Sequence, residues 1–401
     1  MSPFFSHKDS YLGVDIGTAS IKVVELKNEG GRSKLETYGY IDIVTDIIRS
    51  NTLQTRQTII NALKKVIASA RVTTDKAVAA LPTFSVFNSI INLPPMSKKD
   101  LDSAVKWEAK KYVPLPLEEM ILDWKIIDDF KEAVVKKEAL KLEQSAAVRL
   151  AIKRKGFNFF GKKGATAEPQ DFKKQLLSID RQEAGPAGSN IRILVTAAPK
   201  NLVSRYLEIF KAVGLKLLSL ETEAFALARS LIGNDPAIIM IVDVGSITTD
   251  ICIIEKGIPI LNRSIDIGGL SITKAIAGSL NVNVERAEQF KRDFGINIDQ
   301  EIKQKGISKT ILNSLSPIIN EIKYVLDLYQ GQGQQRVEKI VLSGGSSFLP
   351  NLASYFTELF NKPTIIGNPW EKVIYPEDLK PVLNELGPRL AVAIGLAQRD
   401  I

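Results

Sequence analysis

Two short segments carry side chains suited to gripping phosphate. The first is Tyr11-Leu-Gly-Val-Asp-Ile-Gly-Thr-Ala-Ser-Ile-Lys-Val-Val-Glu-Leu26. Two β-branched runs flank a short Gly/Thr/Ser turn, which predicts a hairpin. Asp15 closes the first strand and Gly17 lets backbone approach a ligand with no Cβ in the way. Thr18 and Ser20 offer hydroxyls, and Lys22 returns a positive charge to the same place. The pattern recurs at Ile239-Met-Ile-Val-Asp-Val-Gly-Ser-Ile-Thr-Thr-Asp-Ile-Cys-Ile-Ile254, with Asp243, Gly245, Ser246, Thr248 and Asp250 in nearly the same order. Backbone N–H groups and hydroxyls of two facing hairpins suit a polyphosphate. Asp15 and Asp243 suit a hydrated Mg²⁺, which takes few protein ligands. One Asp-x-Gly-Thr turn alone is an ordinary hairpin; its duplication makes coincidence harder to sustain. Neither a P-loop nor a strand-following G-x-G-x-x-G is present.

A third segment, Lys339-Ile-Val-Leu-Ser-Gly-Gly-Ser-Ser-Phe-Leu-Pro-Asn-Leu352, predicts a strand, a turn at Gly344-Gly345-Ser346, then a helix start at Leu349-Pro350. A flat adenine ring could lie against its bare backbone; a plain strand-to-helix turn explains the same residues.

Other chemistries are excluded or disfavoured. The 401 residues contain one histidine, His7, and one cysteine, Cys252. An intramolecular disulfide and a His/Cys zinc cluster are therefore ruled out. A Ser-His-Asp triad is disfavoured because His7 lies in a polar N-terminal stretch. Apolar residues at 45% and charged residues at 24% give an ordinary globular balance. No apolar run reaches spanning length and no signal-peptide core is evident, so a cytoplasmic protein is expected. The net charge of +8 is mostly local, since residues 131–190 hold 13 Lys+Arg against 7 Asp+Glu. No nucleic-acid partner is expected. The Gly/Pro/Ser content of that segment predicts a flexible basic insertion.

The three segments in this order resemble the motifs of the actin, heat-shock chaperone ATPase and sugar kinase superfamily. Asp15-Ile-Gly-Thr resembles its first phosphate motif, Asp243-Val-Gly-Ser-Ile-Thr-Thr-Asp its second, and Val341-Leu-Ser-Gly-Gly-Ser its adenosine motif. Leu220-Glu-Thr-Glu-Ala-Phe-Ala-Leu-Ala-Arg resembles the first connecting helix. Leu386-Gly-Pro-Arg-Leu-Ala-Val-Ala-Ile-Gly-Leu-Ala resembles the second, with Ala391, Ala393, Gly395 and Ala397 permitting close approach. Ala287-Glu-Gln-Phe-Lys-Arg292 resembles a helix whose Glu and Lys, here Glu288 and Lys291, meet ribose and adenine. Within the superfamily the chain resembles the PilM family of type IV pilus assembly, itself related to FtsA. That likeness rests on Val86-Phe-Asn-Ser-Ile-Ile-Asn-Leu-Pro-Pro-Met-Ser97, on Val105-Lys-Trp-Glu-Ala-Lys-Lys-Tyr-Val-Pro-Leu-Pro-Leu117 with Met120-Ile-Leu-Asp-Trp124, and on Gly367-Asn-Pro-Trp-Glu371.

The resemblance implies a two-lobed actin-like (ribonuclease H-like) α/β nucleotide-binding fold with an FtsA-type small subdomain. The lobes are expected at 1–83 with 218–236 and 379–401, and at 237–378; the small subdomain is expected at 84–217. The implied cofactors are ATP and Mg, with Asp15 and Asp243 at the metal. The implied partners are the cytoplasmic N-terminal peptide of a PilN-like inner-membrane protein and other pilus assembly components. Membrane association would then be indirect, through partners, and the oligomeric state stays open. Glu221 is a candidate for positioning water, although a salt-bridged helix glutamate explains it equally well. The alternatives are an FtsA-like division scaffold and a small-molecule kinase, the latter with Asp250 or Glu221 as base.

Overall fold

A computed structural model of the chain describes residues 10–43, 52–94, 96–113, 115–127, 191–296, 302–331 and 336–399. The expected basic insertion, residues 131–190, lies outside the described residues. The chain divides into two compact units, Ser89–Ala197 and the remainder.

The larger unit contains two sheets of the same topology. In the first, β1 (Ser10–Ile16), β2 (Ser20–Glu29) and β3 (Arg32–Asp42) form an antiparallel meander. After α1 (Leu53–Ala70), β4 (Lys76–Leu81) pairs parallel to β1. Thr52 caps α1 by accepting the Thr55 N–H, and Arg71 ends it in the left-handed region.

The smaller unit begins within β5 (Phe87–Leu93), followed by α2 (Lys98–Ala109) and β6 (Met120–Ile126). Strand β7 (Ile191–Pro199) lies between β5 and β6 in a three-stranded sheet. Its core joins Ile91, Leu101, Val105, Ile193 and Val195. Ser97 caps α2 as its sequence predicts, taking the Asp100 N–H.

The chain then returns to the larger unit through α3 (Lys200–Val213) and β8 (Lys216–Thr222), which pairs parallel to β4. A short helix α4 (Glu223–Leu227) runs into one π turn, Ala228–Ile232. The second sheet repeats the scheme. An antiparallel meander of β9 (Ile239–Val244), β10 (Thr249–Glu255) and β11 (Ile258–Ile265) leads to helices α5 (Gly269–Leu280), α6 (Val284–Phe294) and α7 (Ile302–Gly331). Then β12 (Lys339–Ser343) pairs parallel to β9, and after α8 (Leu352–Phe360), β13 (Thr364–Ile366) pairs parallel to β12. The orders β3-β2-β1-β4-β8 and β11-β10-β9-β12-β13 correspond strand for strand. Near-continuous apolar runs such as Ile239–Val242 suit central strands covered on both faces.

The closing elements are β14 (Val373–Ile374) and α9 (Lys380–Ala397). Small residues let the connecting helices and sheet close up. A Cβ on Gly13 would fall 1.9 Å from the Ala393 carbonyl oxygen, and one on Gly395 would fall 1.9 Å from that of Ala226.

The compact smaller unit is Ser89–Ala197, inside the expected 84–217, and α3 groups with the larger unit, where Arg56 of α1 donates to Glu208. The second lobe does not extend to 378: β14 pairs with β3, and Trp370 packs with Val24, Leu26 and Leu35 of the first sheet. The helices after β8 and β12 begin later than predicted, at Glu223 and Leu352, with Asn351 in the left-handed region at φ 64°.

Candidate functional site

The two predicted hairpins are built alike. In the first, the Gly17 N–H donates to the Ser20 carbonyl at 2.9 Å; in the second, the Gly245 N–H donates to the Thr248 carbonyl, also at 2.9 Å. Each glycine is packed against its own turn. A Cβ would come within 3.2 Å of Ser20 O at position 17 and 3.0 Å of Thr248 O at position 245. Thr18 and Ser246 ride on these turns, while Ser20 and Thr248 are buried beneath them.

The ladders place the charges. Asp15 lies directly opposite Lys22, and Asp243 directly opposite Asp250. The same position therefore holds a cation in one hairpin and an acid in the other. Lys22 Nζ donates to Asp15 Oδ2 at 2.8 Å. Burial works against the lysine charge, but Asp15 outweighs it and raises the ammonium pKa; Asp243 adds to that rise. Asp243 is pushed up to about 6, chiefly by burial, with Lys22 and the Ser343 hydroxyl opposing. Asp250 is pushed up to about 7 by burial and then by Asp243. Lys22 and Asp15 of one hairpin and Asp243 of the other thus lie close enough for their charges to interact.

Glu223, at the start of α4, is a cleft residue the sequence reading missed. Its Oε2 accepts the Thr83 N–H and the Thr83 hydroxyl, each at 2.9 Å. Burial, then Asp250 and Asp15, hold its pKa well above the usual carboxylate range. Glu221 is committed elsewhere: Arg229 Nη2 donates to its Oε2 at 2.8 Å and Arg399 Nε lies 3.6 Å from its Oε1. The salt-bridged explanation of Glu221 therefore holds. No sequence signal separated the two, because Glu221 lies near the end of β8 and Glu223 opens α4 only two residues later.

The adenosine candidates gather at one corner. Gly344, at φ 80°, donates its N–H to the Pro388 carbonyl at 3.1 Å; a Cβ there would fall 2.4 Å from Val244 O. Gly345 is exposed beside it. The Ser346 N–H donates to Val244 O at 3.0 Å, tying this turn to the second hairpin. Lys291 Nζ donates to Gly269 O at 3.2 Å and lies 2.6 Å from Glu288 Oε2. A Cβ on Gly269 would come within 3.3 Å of that same ammonium and would strike the Ser346 hydroxyl. Glu288 is held below the usual carboxylate range; burial opposes its charge, but Lys291, Thr273 and Arg292 prevail.

The donor set fits a magnesium-bound polyphosphate. The two turns carry the hydroxyls of Thr18, Ser20, Ser246 and Thr248, with Asp15 and Asp243 at the strand ends that lead into them. Among the described residues no three His, Cys, Asp or Glu side chains form a ready-made metal cage.

The profile of the family described as "Type IV pilus assembly protein PilM" matches residues 13–153 and 172–401. A solved "PilM-PilN type IV pilus biogenesis complex" contains a chain that superposes with a TM-score of 0.72 at 24% identity, covering 97% of this chain and 98% of that one. Ethanolamine utilization protein EutJ of Escherichia coli is 28% identical over 38% of this chain and 49% of its own length. Cell division protein FtsA of Neisseria meningitidis serogroup B is 24% identical over 54% of this chain and 56% of its own length. The chain thus spans about half the length of these curated relatives. Its fold is the two-lobed actin-like α/β fold. The chain belongs to the PilM family of type IV pilus assembly proteins.

Proposed function

We propose that this PilM-family chain is an ATP-binding scaffold of the type IV pilus assembly machinery. In this reading Asp15, Gly17, Thr18, Ser20 and Lys22 face the phosphates from one lobe, and Asp243, Gly245, Ser246 and Thr248 from the other. Gly344, Gly345 and Ser346 take the adenosine, with Glu288 and Lys291 beside it. The observation that carries the reading is the doubled hairpin, Gly17 N–H to Ser20 and Gly245 N–H to Thr248, within one cleft. Mg²⁺ near Asp15 and Asp243 would neutralise phosphate charge when bound. Lys22 supplies a fixed cation, and the turn amides orient the phosphate oxygens.

Glu223 is the residue best placed to hold a water near the last phosphate. Burial, Asp250 and Asp15 raise its pKa, the direction in which a carboxylate is tuned for general-base work.

The expected partner is the cytoplasmic N-terminal peptide of a PilN-like inner-membrane protein. Family membership and the likeness to a chain of the PilM-PilN complex support this. Among the described residues no helix is long and apolar enough to cross a membrane, so recruitment to the inner-membrane face is assigned to that partner. Calorimetric titration with Mg-ATP, and separately with the peptide, tests both halves. Saturable binding is expected for each, and absence of either removes that half.

A further inference from the structure

We propose that Arg389 is a positioning residue of the nucleotide site, setting the spacing between the first phosphate hairpin and the adenosine turn. The proposal rests on the nucleotide reading above. Pro388 and Arg389 are adjacent in one turn of α9, yet they touch different lobes. The Pro388 carbonyl accepts the Gly344 N–H at 3.1 Å and the Ser343 hydroxyl at 3.2 Å, both from the adenosine turn of the second lobe. The Arg389 guanidinium donates to Asp42 and stacks over the Tyr40 ring, 4.1 Å from its centroid.

Tyr40 and Asp42 are two residues apart on β3, so they share a face of the first sheet. The register sets them directly opposite Lys22 and Ser20, two of the phosphate-facing residues. The Ile43 N–H also donates to Ala19 O at 2.8 Å, so the end of β3 holds the first turn in place. Arg389 lies close enough to Lys22 that its charge weakens the lysine's hold on a proton. One rigid helical turn thus fixes both walls that would meet opposite ends of a nucleotide.

Fold stability does not account for this ion pair. The Arg389 side chain is 27% exposed and that of Asp42 66%, and such pairs contribute little to stability. A guanidinium that donates to one partner while stacking on another positions both, which an ammonium does only in part. A ligand spanning both walls depends on their spacing, whereas one touching a single wall does not.

The test measures Mg-ATP and adenosine binding to the full chain carrying Arg389→Ala, Arg389→Lys or Asp42→Asn. Arg389→Ala should weaken Mg-ATP about tenfold while adenosine changes less than about twofold, with the melting temperature nearly unmoved. Arg389→Lys should restore part of the loss. Asp42→Asn should weaken Mg-ATP too, and the Asp42→Asn/Arg389→Ala double variant should be no worse than Arg389→Ala alone. Equal losses for both ligands, or no loss for Mg-ATP, would overturn the assignment while leaving the nucleotide site standing. Failure of the unaltered chain to bind Mg-ATP would instead overturn the nucleotide reading, and this inference with it.

Discussion

At the scale of single residues, the cleft is defined by acids held near their charge limit. Asp243 at about 6 and Asp250 at about 7 both sit above the ordinary value of 3.8. The folded chain therefore keeps protons that the unfolded chain releases between pH of about 4 and 7. These two groups favour folding at the acidic end of that window, and their contribution is lost as pH rises through the folded pKa values. Asp250→Asn should accordingly raise the melting temperature at pH 8 and change it little at pH 5. Thermal scans at the two pH values check this, and an equal change at both would count against it. Ligand binding has the opposite sign. Magnesium needs charged carboxylates, so its binding with the phosphates releases protons and affinity weakens as pH falls below about 6. Glu223→Gln should leave Mg-ATP affinity within about threefold, since the amide still accepts from Thr83, and should lower whatever ATP turnover the unaltered chain has. Turnover equal to that of the unaltered chain would show that Glu223 does not serve the water.

Secondary-structure elements decide how much of this could be foreseen. The hairpins were legible because a turn needs particular residues at fixed spacing, and Asp15, Gly17 and Lys22 supply them within eight positions. The connecting helices were legible by their small residues, since close approach tolerates little else. Gly395→Val should cost roughly 3 kcal/mol or more, as its Cβ would strike the Ala226 carbonyl. Calorimetric melting measures that cost, and a neutral result would mean the helix crossing is looser than described. The choice between Glu221 and Glu223 was not legible. It turns on where β8 ends and α4 begins, and a boundary shift of two residues exchanges an ion-paired glutamate, held by Arg229 and Arg399, for the acid that accepts from Thr83. Likewise β14 is only two residues long and carries no pattern of its own. Its pairing with β3 follows from Trp370, buried against the first sheet with its indole N–H donated to Leu383 O at 2.7 Å.

For the whole molecule, the repeated sheet order gives two lobes, and the proposed nucleotide would sit between them. A ligand that bridges lobes favours the closed form by its differential affinity for it. Coupling to the partner predicts that the PilN-like peptide binds with different affinity in the presence and absence of Mg-ATP; equal affinities would remove the coupling. The most direct test of the central claim is a calorimetric Mg-ATP titration of the unaltered chain beside Asp15→Ala and Asp243→Ala. One site per chain is predicted, weakened about tenfold or more by either substitution although the two lie in different lobes. Binding that survives one of them unchanged, or no binding to the unaltered chain, would contradict a shared two-lobe grip.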